Sequence, residues 1–367
     1  MFFACVSPAR PSGGWLDRSP TQGAPPSSRT LLELSNRAKT PLANSSLAGF
    51  ARSDGIFPSY LGMRRLRYIP EGGALVEVTC RTIHSRFLLR PSAALNDIIV
   101  GVLGRAQRTY PIRICGYSFV SSHFHLLLDV DDALQLSRFM GYLSSNLARE
   151  IGRLVDWPDK VWARRYQAIV ISGEAAIQAA RLKYILAHGV KEGLVEKVTE
   201  WPGVHCARAL LKGDPVEGTW FDRTQEYAAR RRGEDFDRMR YATTEVLTIS
   251  PLPCWKDFPE ETQRRLAADL VAEIESEAAA HRQRSGKPVL GVPAILGQPP
   301  HTRPKHSKKS PAPLFHVLSK AVREELYAGY AWFVAAYREA ATKLRDGNRT
   351  VSFPVGSFPP PLQFVAG

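Results

Sequence analysis

The sequence predicts an α+β domain on an antiparallel sheet, of the split-βαβ, ferredoxin-like kind, followed by a helical C-terminal accessory region. Three observations carry that expectation. The elements read β-α-β-β-α-β-α between residues 74 and 188, two β-branched and aromatic runs are separated only by Ser121-Ser122, and the intervening segments repeat apolar residues at helical spacing.

Taken in order, residues 74–82 (Ala-Leu-Val-Glu-Val-Thr-Cys-Arg-Thr) combine strand propensity with partial alternation. After Pro91, residues 92–108 place Leu95, Ile98, Ile99, Val102 and Leu103 on a helical period. Residues 112–120 and 123–130 form a hairpin, and residues 132–154 a second helix carrying Leu134, Leu136, Phe139, Leu143 and Leu147. A fourth strand over 166–172 and a third helix over 174–188 complete the unit. In that topology the second hairpin strand lies inside the sheet, where its side chains are held rigidly.

The flanks have a different texture. Residues 1–62 are rich in Pro, Gly, Ser and Arg, and read as a disordered tail or as an over-extended start preceding a native Met63. The domain is expected over 63–213 and a charged linker centred on Arg230-Arg231-Arg232 over 214–258. Beyond it, 259–346 reads as the helical accessory region, interrupted by a Pro-rich basic linker at 285–313, with a flexible tail at 347–367.

The 367 residues carry 49 Lys+Arg against 35 Asp+Glu, a formal charge of +14, which points to a polyanionic partner such as nucleic acid. Five scattered cysteines without a CxxC spacing argue against a disulfide framework or a thiolate zinc site and fit a reducing compartment. No apolar run reaches the ~18 residues of a membrane span, and the N-terminus lacks the pattern of a secretory signal. A cytoplasmic protein without membrane contact, monomer or homodimer, is expected.

The chemistry concentrates in two short stretches. In Ser122-His123-Phe124-His125-Leu126-Leu127-Leu128 the strand period of two projects His123 and His125 from one face and turns Phe124 to the other. In the third helix, Tyr184 and His188 share a face at i and i+4. Three imidazoles suit a divalent metal, Mn²⁺ or Mg²⁺ with phosphate oxygens and water completing the shell. The phenol beside them is an oxygen nucleophile for a phosphate, giving a covalent phosphotyrosine and a free 3′-OH. A lone His-x-His is usually incidental and a lone helical tyrosine usually packs in a core; the combination and order of both raise the signal. Arg164 and Arg165 before the fourth strand, with Arg181 and Lys183 beside Tyr184, are expected to contact DNA phosphates. The bland reading is that their stems cover apolar surface. His84 and His205 read as surface or capping residues, and His301, His306 and His316 as members of a solvated basic loop.

With these residues in view, the stretch from about Arg64 to about Arg208 resembles the single-tyrosine HUH transposases, particularly the REP-associated tyrosine transposases and their insertion-sequence relatives. The HUH pair falls on His123-Phe124-His125, and the Tyr-Ile helix with its ligand four residues on falls on Tyr184-Ile185-Leu186-Ala187-His188. Val190, Lys191, Gly193, Leu194, Val195, Trp201-Pro202 and Trp162-Ala163-Arg164-Arg165-Tyr166 match the flanking pattern. The resemblance implies metal-dependent cleavage and rejoining of single-stranded or hairpin-bearing DNA through a 5′-phosphotyrosine on Tyr184, with His123, His125 and His188 as ligands. A relative without activity that binds hairpin DNA or RNA is the alternative; a rolling-circle initiator or relaxase is disfavoured by the Gly-Leu-Val and Trp-Pro context. Two departures stand out: Val120-Ser121-Ser122 replaces the usual Met-Pro-Asn, and His188-Gly189 replaces Asn-Pro. Glycine in place of proline is expected to loosen the helix end.

Overall fold

The computed structural model describes residues 66–233, 237–304 and 312–361. The expectations for the N-terminal tail, a Met63 start and His306 lie outside the described residues. A five-stranded sheet is built from β1 (Ala74–Arg81), β2 (Arg113–Val120), β3 (His123–Val130), β4 (Gln167–Ile171) and β7 (Phe315–His316), in the order β2-β3-β1-β4-β7. Each neighbouring pair among the first four strands is antiparallel, and β7 joins the β4 edge in parallel. The mixed α+β fold with a mostly antiparallel sheet is therefore the one expected, and β3 is interior to it.

Local chemistry explains the helices between those strands. Helix α1 (Ala93–Thr109) starts where Ser92 Oγ accepts from Leu95 N, and α2 (Ala133–Leu154) where the Asp132 carboxylate accepts from Gln135 N at 2.7 Å. Helix α2 lies on the Phe124 side of the sheet: Trp162 packs edge-on to Phe124 at 5.5 Å, and its indole N–H donates to Ser144 O of α2. Helix α3 (Ala175–Leu186) covers the opposite face, where its Leu182 side chain closes over Gly116 of β2. Phe124, Leu126, Leu128 and Val130 of β3 are fully buried on the α2 face. On the α3 face Leu127 is equally buried, but the positions nearer the hairpin are His125 and His123.

The expected charged linker is a correction. Within 214–258, β5 (Val216–Phe221) and β6 (Ala242–Leu247) pair antiparallel, bracketing helix α5 (Arg223–Arg231). The small sheet sits on α1 through a glycine seam. A Cβ on Gly101 would fall 2.1 Å from Thr219 O, and one on Gly218 2.4 Å from Gly101 N. Backbone is pressed against backbone there, so side-chain periodicity carries little sign of the contact.

Helix α4 (Ala207–Lys212) and the long helix α6 (Glu260–Ser285) follow, and α6 lies against α3, where Lys183 pairs with Glu273 and Glu277. The basic linker contains a short helix α7 (Val292–Gly297). Helix α8 (Lys320–Arg345) follows β7, and Phe315 joins Tyr68, Tyr327 and Tyr330 in an aromatic cluster that Phe333 extends through Tyr68. Among the described residues no helix is long and apolar enough to cross a membrane.

Candidate functional site

Strand β3 positions the first two histidines. Its register with β1 pairs Arg81 with His123, Thr79 with His125 and Glu77 with Leu127, so Glu77, Thr79 and Arg81 share the face of the histidines. The third histidine arrives from the end of α3. The helix closes at Leu186, two residues before the expected end, and His188 sits in the following turn with its N–H donating to Ile185 O. Even so, the rings converge: His125 and His188 have centroids 4.4 Å apart, and His123 stands 5.1 and 5.8 Å from them. Tyr184 borders the group at 5.0 Å from His188 and 5.6 Å from His125, and it is 38% exposed, open to a ligand.

The donor set suits a divalent metal. One nitrogen from each of the three histidines lies within 4.8 Å of the others, the only such cluster of metal-binding side chains among the described residues. Burial holds all three imidazole pKa values below the ordinary value, so the rings are neutral and keep a lone pair at neutral pH. The positive charges of Arg81 and Lys191 at His123, and of Lys191 at His188, press in the same direction. Nδ1 of His188 faces Ile185 O at 3.1 Å, and Nδ1 of His125 faces Glu77 Oε1 at 3.1 Å. Both contacts place the proton on Nδ1 and leave Nε2 for coordination. Lys191 Nζ lies 3.1 Å from His188 Nε2, so a bound cation and this ammonium compete for one lone pair.

Glu77 was not singled out by the sequence reading, yet it underlies both halves of the site. It is 3% exposed and accepts from Arg181 Nε at 2.7 Å, with Arg181 Nη2 at 2.6 Å from the same oxygen. Burial alone would raise its pKa, but the hydrogen bond with His125, the close His316 imidazole and the Arg181 charge hold it well below the usual carboxylate range. Arg181 in turn lies over the Tyr184 ring at 4.2 Å from the centroid, and Lys191 Nζ contacts the ring at 3.4 Å. Burial raises the Tyr184 phenol above its ordinary pKa, Glu77 adds to this, and Arg181 opposes it. Burial also pushes the Lys191 ammonium down to about 8.

The four basic residues expected on DNA divide into two pairs. Arg164 and Arg165 are exposed, and Arg165 lies over the Tyr166 ring. Arg181 and Lys183 are instead committed inside the protein, Arg181 to Glu77 and Lys183 to Glu273 and Glu277 at 2.8 and 3.0 Å. Both cations expected on a phosphate are thus already paired with carboxylates. The partners lie 104 and 94 residues away in the chain, beyond the reach of a local motif. Arg81, exposed beside His123, was missed because a strand-end arginine has no distinguishing sequence context.

The turn after Tyr184 also differs from expectation. Gly189 has φ +92°, its N–H donates to Glu192 Oε2 at 2.7 Å, and its carbonyl accepts from Leu194 N at 2.8 Å. Proline fits neither that φ nor that donor role, and the helix end is closed rather than loosened. Trp201 packs beside Gly189, and its indole N–H donates to Phe119 O at 3.0 Å, which ties the turn to the hairpin carrying the histidines. His205 serves as the expected cap, Nδ1 accepting from Ala207 N at the start of α4. His316 is no loop residue but part of β7.

Residues 81–188 match the model of a family described as IS200-like transposases. Among solved structures, a REP-associated tyrosine transposase bound to a REP hairpin is 19% identical, with a TM-score of 0.34, covering 41% of this chain and 87% of that one. A candidate transposase from Deinococcus radiodurans R1 is 16% identical, with a TM-score of 0.24, covering 32% of this chain and 94% of the other. No curated protein matches the chain.

Proposed function

Starting from a segment, residues 81–188, that matches the IS200-like transposases, we propose that this protein is a transposase that cleaves and rejoins single-stranded DNA through Tyr184. One observation carries the reading: a half-exposed tyrosine stands against a cluster of three neutral histidines, between two cationic side chains. Binding a hairpin alone requires no such arrangement.

In this reading the Tyr184 phenol oxygen attacks the scissile phosphorus. The phenol gives up its proton to solvent, the Tyr–O–P bond forms, the P–O3′ bond breaks, and the leaving 3′ oxygen takes up a proton from solvent. The DNA 5′ end is then held on the protein, and a second 3′-OH can reverse the step without an external energy source. A divalent ion, Mg²⁺ or Mn²⁺, held by His123, His125 and His188 would polarise the phosphoryl oxygen and offset charge on the leaving oxygen. Arg181 and Lys191 keep positive charge at the phenol, which favours the phenolate that burial disfavours. Arg164 and Arg165 supply exposed charge for the DNA backbone.

The test is incubation of the full chain with labelled, hairpin-bearing single-stranded DNA and Mn²⁺. A covalent protein–DNA adduct is expected, and Tyr184→Phe is expected to abolish it while leaving the mobility shift of the non-covalent complex. A shift without any adduct in the wild type would overturn the enzymatic reading in favour of a hairpin-binding protein.

A further inference from the structure

The C-terminal part of the chain reaches the site through one side chain. Strand β7 pairs in parallel with β4, matching Val170 with Phe315 and Ile171 with His316, and Ser172 N donates to His316 O at 2.9 Å. In the neighbouring ladder, Ile169 pairs with Glu77 and Ile171 with Leu75. Because side chains alternate across a sheet, Glu77, Ile169, Ile171 and His316 point to the same face, that of His125 and Tyr184. His316 Nε2 comes to 3.3 Å from Glu77 Oε2, the oxygen that Arg181 also holds. One buried carboxylate thus touches a metal-ligand candidate from β3, the arginine over the tyrosine ring from α3, and a histidine from residues 312–345.

We propose that Glu77 and His316 are positioning residues of the strand-transfer site, and that β7 and α8 are an integral brace of it rather than an appendage. The inference rests on the metal and tyrosine reading above. The physical argument concerns orientation. Glu77 Oε1, with Thr79 Oγ1 at the same 3.1 Å from Nδ1, fixes which His125 nitrogen faces the cluster, and Oε2 fixes where Arg181 lies over Tyr184. A glutamate side chain turns about three bonds and serves both only while its carboxylate plane is held. Arg181 and His125 hold it from two sides, and His316 bounds it from the third. The brace has its own anchor, since Phe315, adjacent to His316, packs among Tyr68, Tyr327 and Tyr330.

The test is a Mn²⁺ titration of the full chain by calorimetry, followed by single-turnover adduct formation, on wild type, Glu77→Gln, His316→Leu and His316→Gln. Glu77→Gln is expected to weaken Mn²⁺ binding by roughly 10- to 100-fold, the usual consequence of losing a carboxylate behind a ligating histidine. His316→Leu is expected to weaken it several-fold and to slow adduct formation at saturating DNA and Mn²⁺, a kcat effect without a KM effect. His316→Gln, which retains a hydrogen-bonding end, is expected to recover most of both losses. Wild-type Mn²⁺ affinity and rate in His316→Leu, with an unchanged far-UV spectrum, would overturn the proposal; that variant alone decides should Glu77→Gln not fold. Weakened Mn²⁺ binding in the variants with no adduct in the wild type would remove the transposase reading and leave the positioning role standing. An active wild type with variants unchanged in both readouts removes only the positioning role, and a wild type that binds no Mn²⁺ removes it too.

Discussion

Two buried carboxylate networks lie on opposite sides of this molecule, and they differ in what answers the negative charge. Beside α2, Glu150 and Glu226 are almost fully buried, and among the described residues their carboxylates are met by arginines. Arg223 donates to Glu150 at 3.0 Å, Arg153 and Arg238 donate to Glu226 at 3.0 and 2.9 Å, and Arg238 also reaches Glu150. Arginine offers donors and no lone pair, so this collar occupies the carboxylate oxygens and holds α5 against α2 while adding no ligand atom of its own. On the α3 face Glu77 is just as buried, but it is met by one arginine and two imidazoles. An imidazole that spends one nitrogen on a carboxylate keeps the other for a ligand. The same local device, a buried acid with a cationic collar, is therefore scaffold on one side and candidate chemistry on the other.

The comparison breaks most clearly on the scaffold side. Glu150→Ala is expected to cost about 3 kcal/mol of unfolding free energy, at the lower end for a broken buried pair because Arg223 and Arg238 keep some solvent. Denaturant melts would read this, and Mn²⁺ affinity should stay at the wild-type value. A large loss of Mn²⁺ affinity in that variant would mean that the two networks are coupled.

His188→Ala should show the inverse pattern. A loss of at least ~100-fold in Mn²⁺ affinity, about 2.7 kcal/mol, is expected from removing one of three ligands, with a smaller change in the denaturant midpoint. Equal affinity in that variant would place the metal elsewhere and remove His188 from the donor set.

The third effect concerns pH. Burial lowers the pKa of His205 from 6.5 to about 4. The unfolded chain binds a proton at this residue below pH 6.5, while the folded chain does so only below about pH 4. Its contribution to stability is therefore complete above pH 6.5 and is lost as the pH falls towards 4, at no more than ~1.4 kcal/mol per pH unit. Melting temperatures of wild type and His205→Asn between pH 7 and 4 should converge as the pH drops. Parallel curves would show that His205 titrates normally in the folded protein.

How much of this was legible before the fold is clearest at particular residues. His123-Phe124-His125 could be read directly, because a strand's period of two is a property of the backbone alone. Tyr184 and His188 could be read as neighbours even though α3 stops at Leu186, because the turn beyond it keeps His188 near the helix axis. Residues 216–247 were read as linker because their sheet is stabilised by α1 through Gly101 and Gly218, and backbone contact leaves no apolar pattern. Arg181 and Lys183 looked like phosphate ligands because nothing near them in the chain is acidic enough to claim them. Glu77, Glu273 and Glu277 claim them from distant segments.

The sequence by itself determined the periodic and the local: the order of strands and helices, the pair of histidines on one face, and the tyrosine one turn from a third. Those follow from dihedral geometry, which acts over a few residues. Only the tertiary structure decided which charges were spent and which remained open. It paired Arg181 with Glu77, made Gly189 a closed turn, and carried His316 across the sheet to the same carboxylate. The reason is physical: a buried charge must find its counter-charge in space, and no spacing along the chain records where that partner will be.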